Sequence, residues 1–243
     1  MVDILKSITN TNRSLAILID PEKMKVGTVS AFAKAVFTTI TILKEKLHVE
    51  QFYFFTGGST MEKTDFDLWI QTLKENTEIP IVIFPGSHTQ LSENADGLLF
   101  INLLSGRNPE YLVEQQVHAA QQLRKTSLEI IPTGYLLIDG GKETAVQRVS
   151  KTRPLTQKDI SNIVNHAYAA QLMGNQLIYL EAGSGAKHAV SKEIVRDVSN
   201  QINIPLIVGG GLRTIRQIEE TFKAGANMVV IGTAIEENIN WKG

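Results

Sequence analysis

Short, almost continuously apolar runs recur along the chain. Between them lie segments whose apolar residues fall three or four apart. Eight runs read as strands: Leu15–Asp20, Gln51–Phe55, Ile79–Phe84, Gly97–Asn102, Glu129–Thr133, Gln176–Leu180, Pro205–Val208 and Met228–Ile231. Strands apolar on both faces are covered on both faces, as in parallel sheets. Val29–Leu43, Pro109–Leu123, Ile160–Met173 and Ile215–Ala224 carry helical spacing, with Pro109 placed for a first turn and Gly174 and Gly225 for C-terminal caps. Strands alternating with helices predict a parallel sheet. Eight such units favour closure into a (β/α)₈ TIM barrel, one domain over residues 1–243, with a short last helix. The competing fold, an open doubly wound sheet, carries its glycine fingerprint after the first strand. Here the glycines follow the last ones.

One connection breaks the rhythm. Tyr135–Pro154, YLLIDGGKETAVQRVSKTRP, is long for a strand-to-helix loop after the fifth strand. Loops of that length are often lids or binding elements. It reads equally as an insertion with an extra strand at Ala145–Val149.

The chemistry concentrates where three runs end in glycine: QLIYLEAGSG (Gln176–Gly185), IPLIVGGG (Ile204–Gly211) and MVVIGT (Met228–Thr233). Glycines there expose backbone N–H groups that can cradle a phosphate. A phosphate site made by the last strands is a TIM-barrel habit. Glu181 adds a candidate base beside it. Tyr179, two residues earlier, points to the same side and can bind a substrate oxygen or fill the barrel interior.

Asp20, in LIDPEK, ends the first strand and can hold Mg²⁺ together with substrate phosphates. Asp-Pro also starts turns, and that reading is equally open. TGGST (Thr56–Thr60) offers glycines and the Ser59 hydroxyl to a metal or phosphate. Arg107 suits a diphosphate or a surface salt bridge. The histidines are scattered, without zinc-site spacing.

Composition narrows the class. Of 243 residues 43% are hydrophobic, enough for a large core. Lys and Arg number 24 against 25 Asp and Glu, a balance that does not point to nucleic acid. The absence of cysteine excludes disulfides and thiolate metal sites and is compatible with a cytoplasmic protein. No apolar stretch is expected to span a bilayer, and the N-terminus lacks a signal-peptide layout.

LIDPEK, TGGST, IPIVIFPGS, ADGLLFINLLSGRNP, YLEAGSGA, PLIVGGGLRT and GANMVVIGTA follow one another across almost the whole chain. Together they resemble the geranylgeranylglyceryl phosphate synthase family, which includes the PcrB-like proteins. The resemblance implies a (β/α)₈ prenyltransferase that joins sn-glycerol 1-phosphate to a polyprenyl diphosphate, geranylgeranyl diphosphate first, and releases diphosphate. By motif, Asp20 and Ser59 match the Mg²⁺ positions. Tyr179, Leu180, Glu181, Ala182, Gly183, Ser184 and Gly185 match the glycerol-phosphate segment, with Glu181 as base. Gly209, Gly210, Gly211, Gly232 and Thr233 match the remaining phosphate binders. Ionisation of the allylic carbon is expected to run ahead of bond formation. The tail needs an apolar groove, for which Phe84, Leu99, Phe100 and Leu104 are candidates, core packing being the default for each. A homo-oligomer and contact at a membrane surface are expected. The rival readings are another phosphate-binding barrel, such as a sugar-phosphate isomerase or a flavin enzyme, and a lipid-binding barrel without turnover.

Overall fold

A closed ring of eight parallel strands organises the protein, seen in a computed structural model that describes residues 3–57, 63–239 and 241. The strands are β1 (Ser14–Ile19), β2 (Gln51–Thr56), β3 (Ile81–Ile83), β4 (Gly97–Leu103), β5 (Glu129–Leu137), β6 (Leu177–Glu181), β7 (Leu206–Gly209) and β8 (Met228–Ile231). They pair in chain order, and β8 closes on β1 with Ser14 opposite Met228. The expected barrel is therefore the fold, and the open sheet is excluded.

Alternation along each strand splits its side chains between two apolar clusters. Ala16, Tyr53, Val82, Leu99, Tyr179 and Ile207 fill the inside. Leu15, Phe54, Ile81, Leu180, Val208 and Val229 face outward beneath the helices. Those helices are α2 (Val26–Leu47), α3 (Lys63–Lys74), α4 (Gln115–Leu123), α6 (Ile160–Leu172), α7 (Lys192–Ser199) and α8 (Ile215–Lys223). Gly174 and Gly225 end two of these helical segments with φ of +93° and +113°, as their positions predicted. The last helix, α9 (Thr233–Glu237), is short, also as expected.

Four departures from the sequence reading have local causes. The first is a short helix, α1 (Ile4–Asn10), whose Ile4 and Ile8 belong to the inner cluster. The Glu129 carboxylate accepts from Leu5 N at 2.8 Å, and Tyr53 Oη donates to Ser7 Oγ at 2.8 Å. Glu129 begins β5, so α1 closes the end of the barrel where the strands start. Burial there pushes the Tyr53 phenol up to about 12.

Second, β5 runs on to Leu137 instead of ending at Thr133, and Tyr135 and Leu137 point inward. Pro132 and Gly134 weaken the strand signal, although both keep their register with β4. Third, the long connection after β5 holds a helix, α5 (Ala145–Ser150), in place of the extra strand that the sequence also allows. The Thr144 side chain caps it by accepting from Gln147 N at 3.1 Å.

Fourth, α2 is, by length and composition, apolar enough to cross a membrane, contrary to the expectation for the sequence. Its apolarity has a partner within the fold: Val29, Ala33, Val36, Leu43 and Leu47 are fully buried in the outer cluster.

One gap in the helical jacket matters for the site. Between β3 and β4, residues 84–96 form turns and no helix. The next connection begins with a π-helical turn, Glu110–Glu114, opened by Pro109 and leading into α4. This side of the barrel wall is covered by turns rather than by a helix of its own.

Candidate active site

At the C-terminal ends of β6, β7, β8 and β1 the chain surrounds one cavity. Its wall includes Asp20, Glu181, Gly183, Ser184, Gly185, Gly210, Gly211, Gly232 and Thr233. The three glycine-ended runs thus converge, together with the first strand, as the spacing predicted. Gly183, Gly185, Gly210 and Gly211 all have positive φ, a conformation side chains rarely adopt.

The lack of side chains is spatial as well as conformational. A β-carbon on Gly210 would collide with Glu181 Oε1 and sit 2.6 Å from Gly183 N. One on Gly209 would lie 2.6 Å from both Glu181 Oε2 and Tyr179 Oη. Gly209 is opposite Glu181 in the β6–β7 register, so its missing side chain makes room for the carboxylate. It stands behind Glu181 rather than on the cavity wall.

Glu181 ends β6 with 6% exposure, and its Oε1 accepts from Gly183 N at 2.6 Å. Burial raises its affinity for a proton above that of an ordinary carboxyl; the Tyr179 hydroxyl and the Gly183 N–H act the other way. Tyr179 and Tyr135 are buried below it. Burial, helped by the Glu181 charge, pushes both phenols well above their ordinary value. Neither hydroxyl makes a well-formed hydrogen bond among the described residues. Their rings stack with Phe84: Phe84–Tyr179 and Tyr135–Tyr179 centroids are 5.4 Å apart, and Phe84–Tyr135 centroids 5.9 Å. Leu180 and Ala182, by contrast, face the outer apolar cluster.

Asp20 makes a turn contact, its Oδ1 accepting from Glu22 N at 3.0 Å, and also borders the cavity. Lys23 lies 3.4 Å from Asp20 Oδ2 and 3.0 Å from Glu236 Oε2. Ser59 lies outside the described residues, as do Gly58 and Thr60. Arg107 is not at the cavity. Its guanidinium donates to the carbonyls of Leu104 and Gly106 and meets His166 Nε2 at 3.1 Å, so it serves its own loop.

A second, apolar cavity adjoins the first and shares Asp20, Gly57, Phe84, Tyr135 and Val146 with it. It continues past Ile101, Leu103 and Tyr111 beneath α5. A third follows between the helix-free β3–β4 segment and α4, along Leu91, Leu99, Phe100 and Ala119. Phe84, Leu99 and Phe100 therefore border this path, and Leu104 packs against the outer cluster instead. Tyr135, Tyr111 and Val146 escaped the sequence reading. Only Tyr135 had a readable signal, the alternation Ile131, Thr133, Tyr135, Leu137.

These features define a (β/α)₈ barrel with a buried carboxylate beside a glycine-lined cavity and an apolar groove leading away. Comparison with known proteins narrows this. The PcrB family model matches residues 53–242. Geranylgeranylglyceryl phosphate synthase of Zunongwangia profunda is 46% identical, covering 96% of this chain and 95% of the relative. That of Flavobacterium johnsoniae is 45% identical over 97% and 93%. The crystal structure of (S)-3-O-geranylgeranylglyceryl phosphate synthase from Thermoplasma acidophilum, in complex with its substrate sn-glycerol-1-phosphate, superposes with a TM-score of 0.85 at 33% identity, covering 99% of this chain and 92% of that one. The chain belongs to the PcrB family.

Proposed function

We propose that the protein is a prenyltransferase that joins sn-glycerol 1-phosphate to a polyprenyl diphosphate, geranylgeranyl diphosphate first, through an ether bond. The observation that carries this reading is the joint between the two cavities. Glu181 and the glycine cradle line one side, an apolar groove leaves the other, and Asp20 borders both. The names and the bound substrate of the relatives support the same pair of reactants.

In this reading the acceptor phosphate lies against the backbone of Gly183–Gly185, Gly210 and Gly211, which directs its free hydroxyl toward Glu181. The bond from the allylic carbon to the diphosphate oxygen breaks ahead, and the hydroxyl oxygen bonds to that carbon. The electron pair leaves with diphosphate, and the proton passes to Glu181. Burial makes Glu181 a stronger base than an exposed carboxylate. The tail lies along Phe84, Ile101, Leu103 and Tyr111, continuing toward Ala119.

Asp20 is the described residue fitted to Mg²⁺, being an oxygen donor where a diphosphate would meet the acceptor. An ion there would be held largely by substrate phosphates. Ser59 completes the proposed ligand pair. When bound, Mg²⁺ would neutralise charge growing on the departing diphosphate. The reading extends to a cytoplasmic enzyme working at a membrane surface and to a homo-oligomer, which the exposed apolar side chains Tyr168, Leu172 and Met173 support.

The test is to incubate the protein with Mg²⁺, labelled sn-glycerol 1-phosphate and a ladder of prenyl diphosphates. A lipid-extractable product establishes the transfer and gives the preferred chain. No product with any chain, while glycerol phosphate still binds, rejects it.

A further inference from the structure

A phosphate monoester brings nearly two negative charges, whereas backbone N–H groups supply only partial ones. The cradle therefore needs a cation; Lys23 and Arg213 border the cavity, and Lys23 is already engaged. Lys23 is held between Asp20 and Glu236.

The turn after β5 supplies another. Asp139–Lys142 is folded down onto the loop that follows β6. The Gly140 carbonyl accepts from Lys187 N at 2.9 Å and from His188 N at 3.0 Å. Gly140 sits so close that a β-carbon there would lie 2.7 Å from Ala186 Cβ. Gly141, with φ of +75°, donates to Asp139 Oδ1 at 2.9 Å and leaves no room against the His188 ring. Two residues past Lys142, the Thr144 methyl fills the space a side chain on Gly183 would need.

This clamp fixes where Lys142 emerges. Its Nζ lies 3.5 Å from the point a β-carbon on Gly185 would occupy, directly over the glycine loop. Lys142 makes no ion pair among the described residues, while its neighbour Glu143 turns to Arg148 at 3.6 Å. A lone ammonium over a glycine loop is suited to an anion that arrives from outside.

We infer that Lys142 binds the phosphate of the acceptor and supplies the full positive charge that the backbone cradle lacks. The inference rests on the reading of this cavity as a glycerol-phosphate site. A lysine here acts as a mobile point charge, so it strengthens binding without dictating the phosphate's orientation. Its effect belongs in acceptor affinity, not in the proton transfer at Glu181.

The experiment measures binding directly, by calorimetry on the full-length protein with sn-glycerol 1-phosphate and with inorganic phosphate as probes. Lys142→Ala is expected to weaken both on the order of five- to tenfold, at unchanged thermal midpoint, with Lys142→Arg recovering most of the loss. Lys187→Ala, which removes a charge from the same loop, should stay within about twofold of the parent. In turnover, KM for the acceptor should rise while kcat holds. Unchanged affinity in Lys142→Ala overturns the inference whether or not the protein turns over. Equal losses in Lys142→Ala and Lys187→Ala also overturn it, because a diffuse field would then explain both. A parent protein that binds neither probe overturns the acceptor reading, and this inference with it.

Discussion

Gly210 has no side chain because Glu181 occupies the space one would take. Its β-carbon would collide with Glu181 Oε1, and its φ of +82° separately disfavours any L side chain. Gly210→Ala must therefore displace the carboxylate and strain the backbone. We expect activity to fall by at least about a hundredfold and stability by about 2–4 kcal/mol. Gly174→Ala is the control. Its φ is +93°, yet nothing lies within 4 Å of the new carbon. That variant should lose only about 1 kcal/mol and keep its activity. Thermal unfolding and turnover, measured on the two variants together, separate collision from strain.

Removing the proton acceptor without removing its shape gives the most direct test of the chemistry. Glu181→Gln should lower kcat by about 10²–10⁴-fold and leave acceptor affinity within a few-fold. A base must be ionised, so parental kcat/KM falls as pH drops through the raised Glu181 pKa. That acid limb should lie above the ordinary carboxylate range and disappear in the variant. Stability carries the opposite sign. A raised folded pKa means that ionising Glu181 costs stability as pH rises through it. Glu181→Gln should consequently unfold at a higher temperature than the parent at pH 8, and the difference should shrink in acid.

Tyr179→Phe removes a buried hydroxyl that lacks a well-formed partner. Below the Glu181 pKa the fold should lose little, whereas above it the further rise in that pKa should cost stability. The Tyr179 hydroxyl also lowers the proton affinity of Glu181. Without it the acid limb should move to higher pH. A limb that stays in place would show that the phenol does not touch the carboxylate's ionisation.

The outer wall of the groove predicts chain selectivity. Ala119 is 6% exposed and faces the apolar path from α4. Ala119→Trp should shift product formation toward shorter prenyl diphosphates while KM for glycerol phosphate holds within about twofold. A product ladder run with each chain length in turn reads this directly.

Much of this was legible in the chain, for reasons that differ by element. The eight apolar runs were visible because a strand covered on both faces cannot hide its composition. Glu181 and the glycines at 183, 185, 210 and 211 were visible because they stand at the ends of those runs. A glycine triplet does not say which member faces the cavity. The room that Gly209 leaves for Glu181 depends on their register across two strands. The tail of β5 was obscured by Pro132 and Gly134, which interrupt the composition of a strand without ending it. α5 escaped because six residues are too few for a helical period to declare itself. Lys142 carried no signal of its own, because its place depends on a turn clamped to a loop more than forty residues away.

The two ends of the cavity draw mainly on different parts of the chain. Residues after β6, with Asp20 and Lys23 after β1, border the acceptor end, and residues from β3 to α4, with Tyr135 and α5, border the greasy end. Substitutions that lengthen or shorten the greasy end touch none of the glycines at the other. Head-group choice and tail choice are thus separable traits, free to drift independently in descendants of this barrel. A lineage could change the thickness of the lipid it makes without relearning how to hold glycerol phosphate.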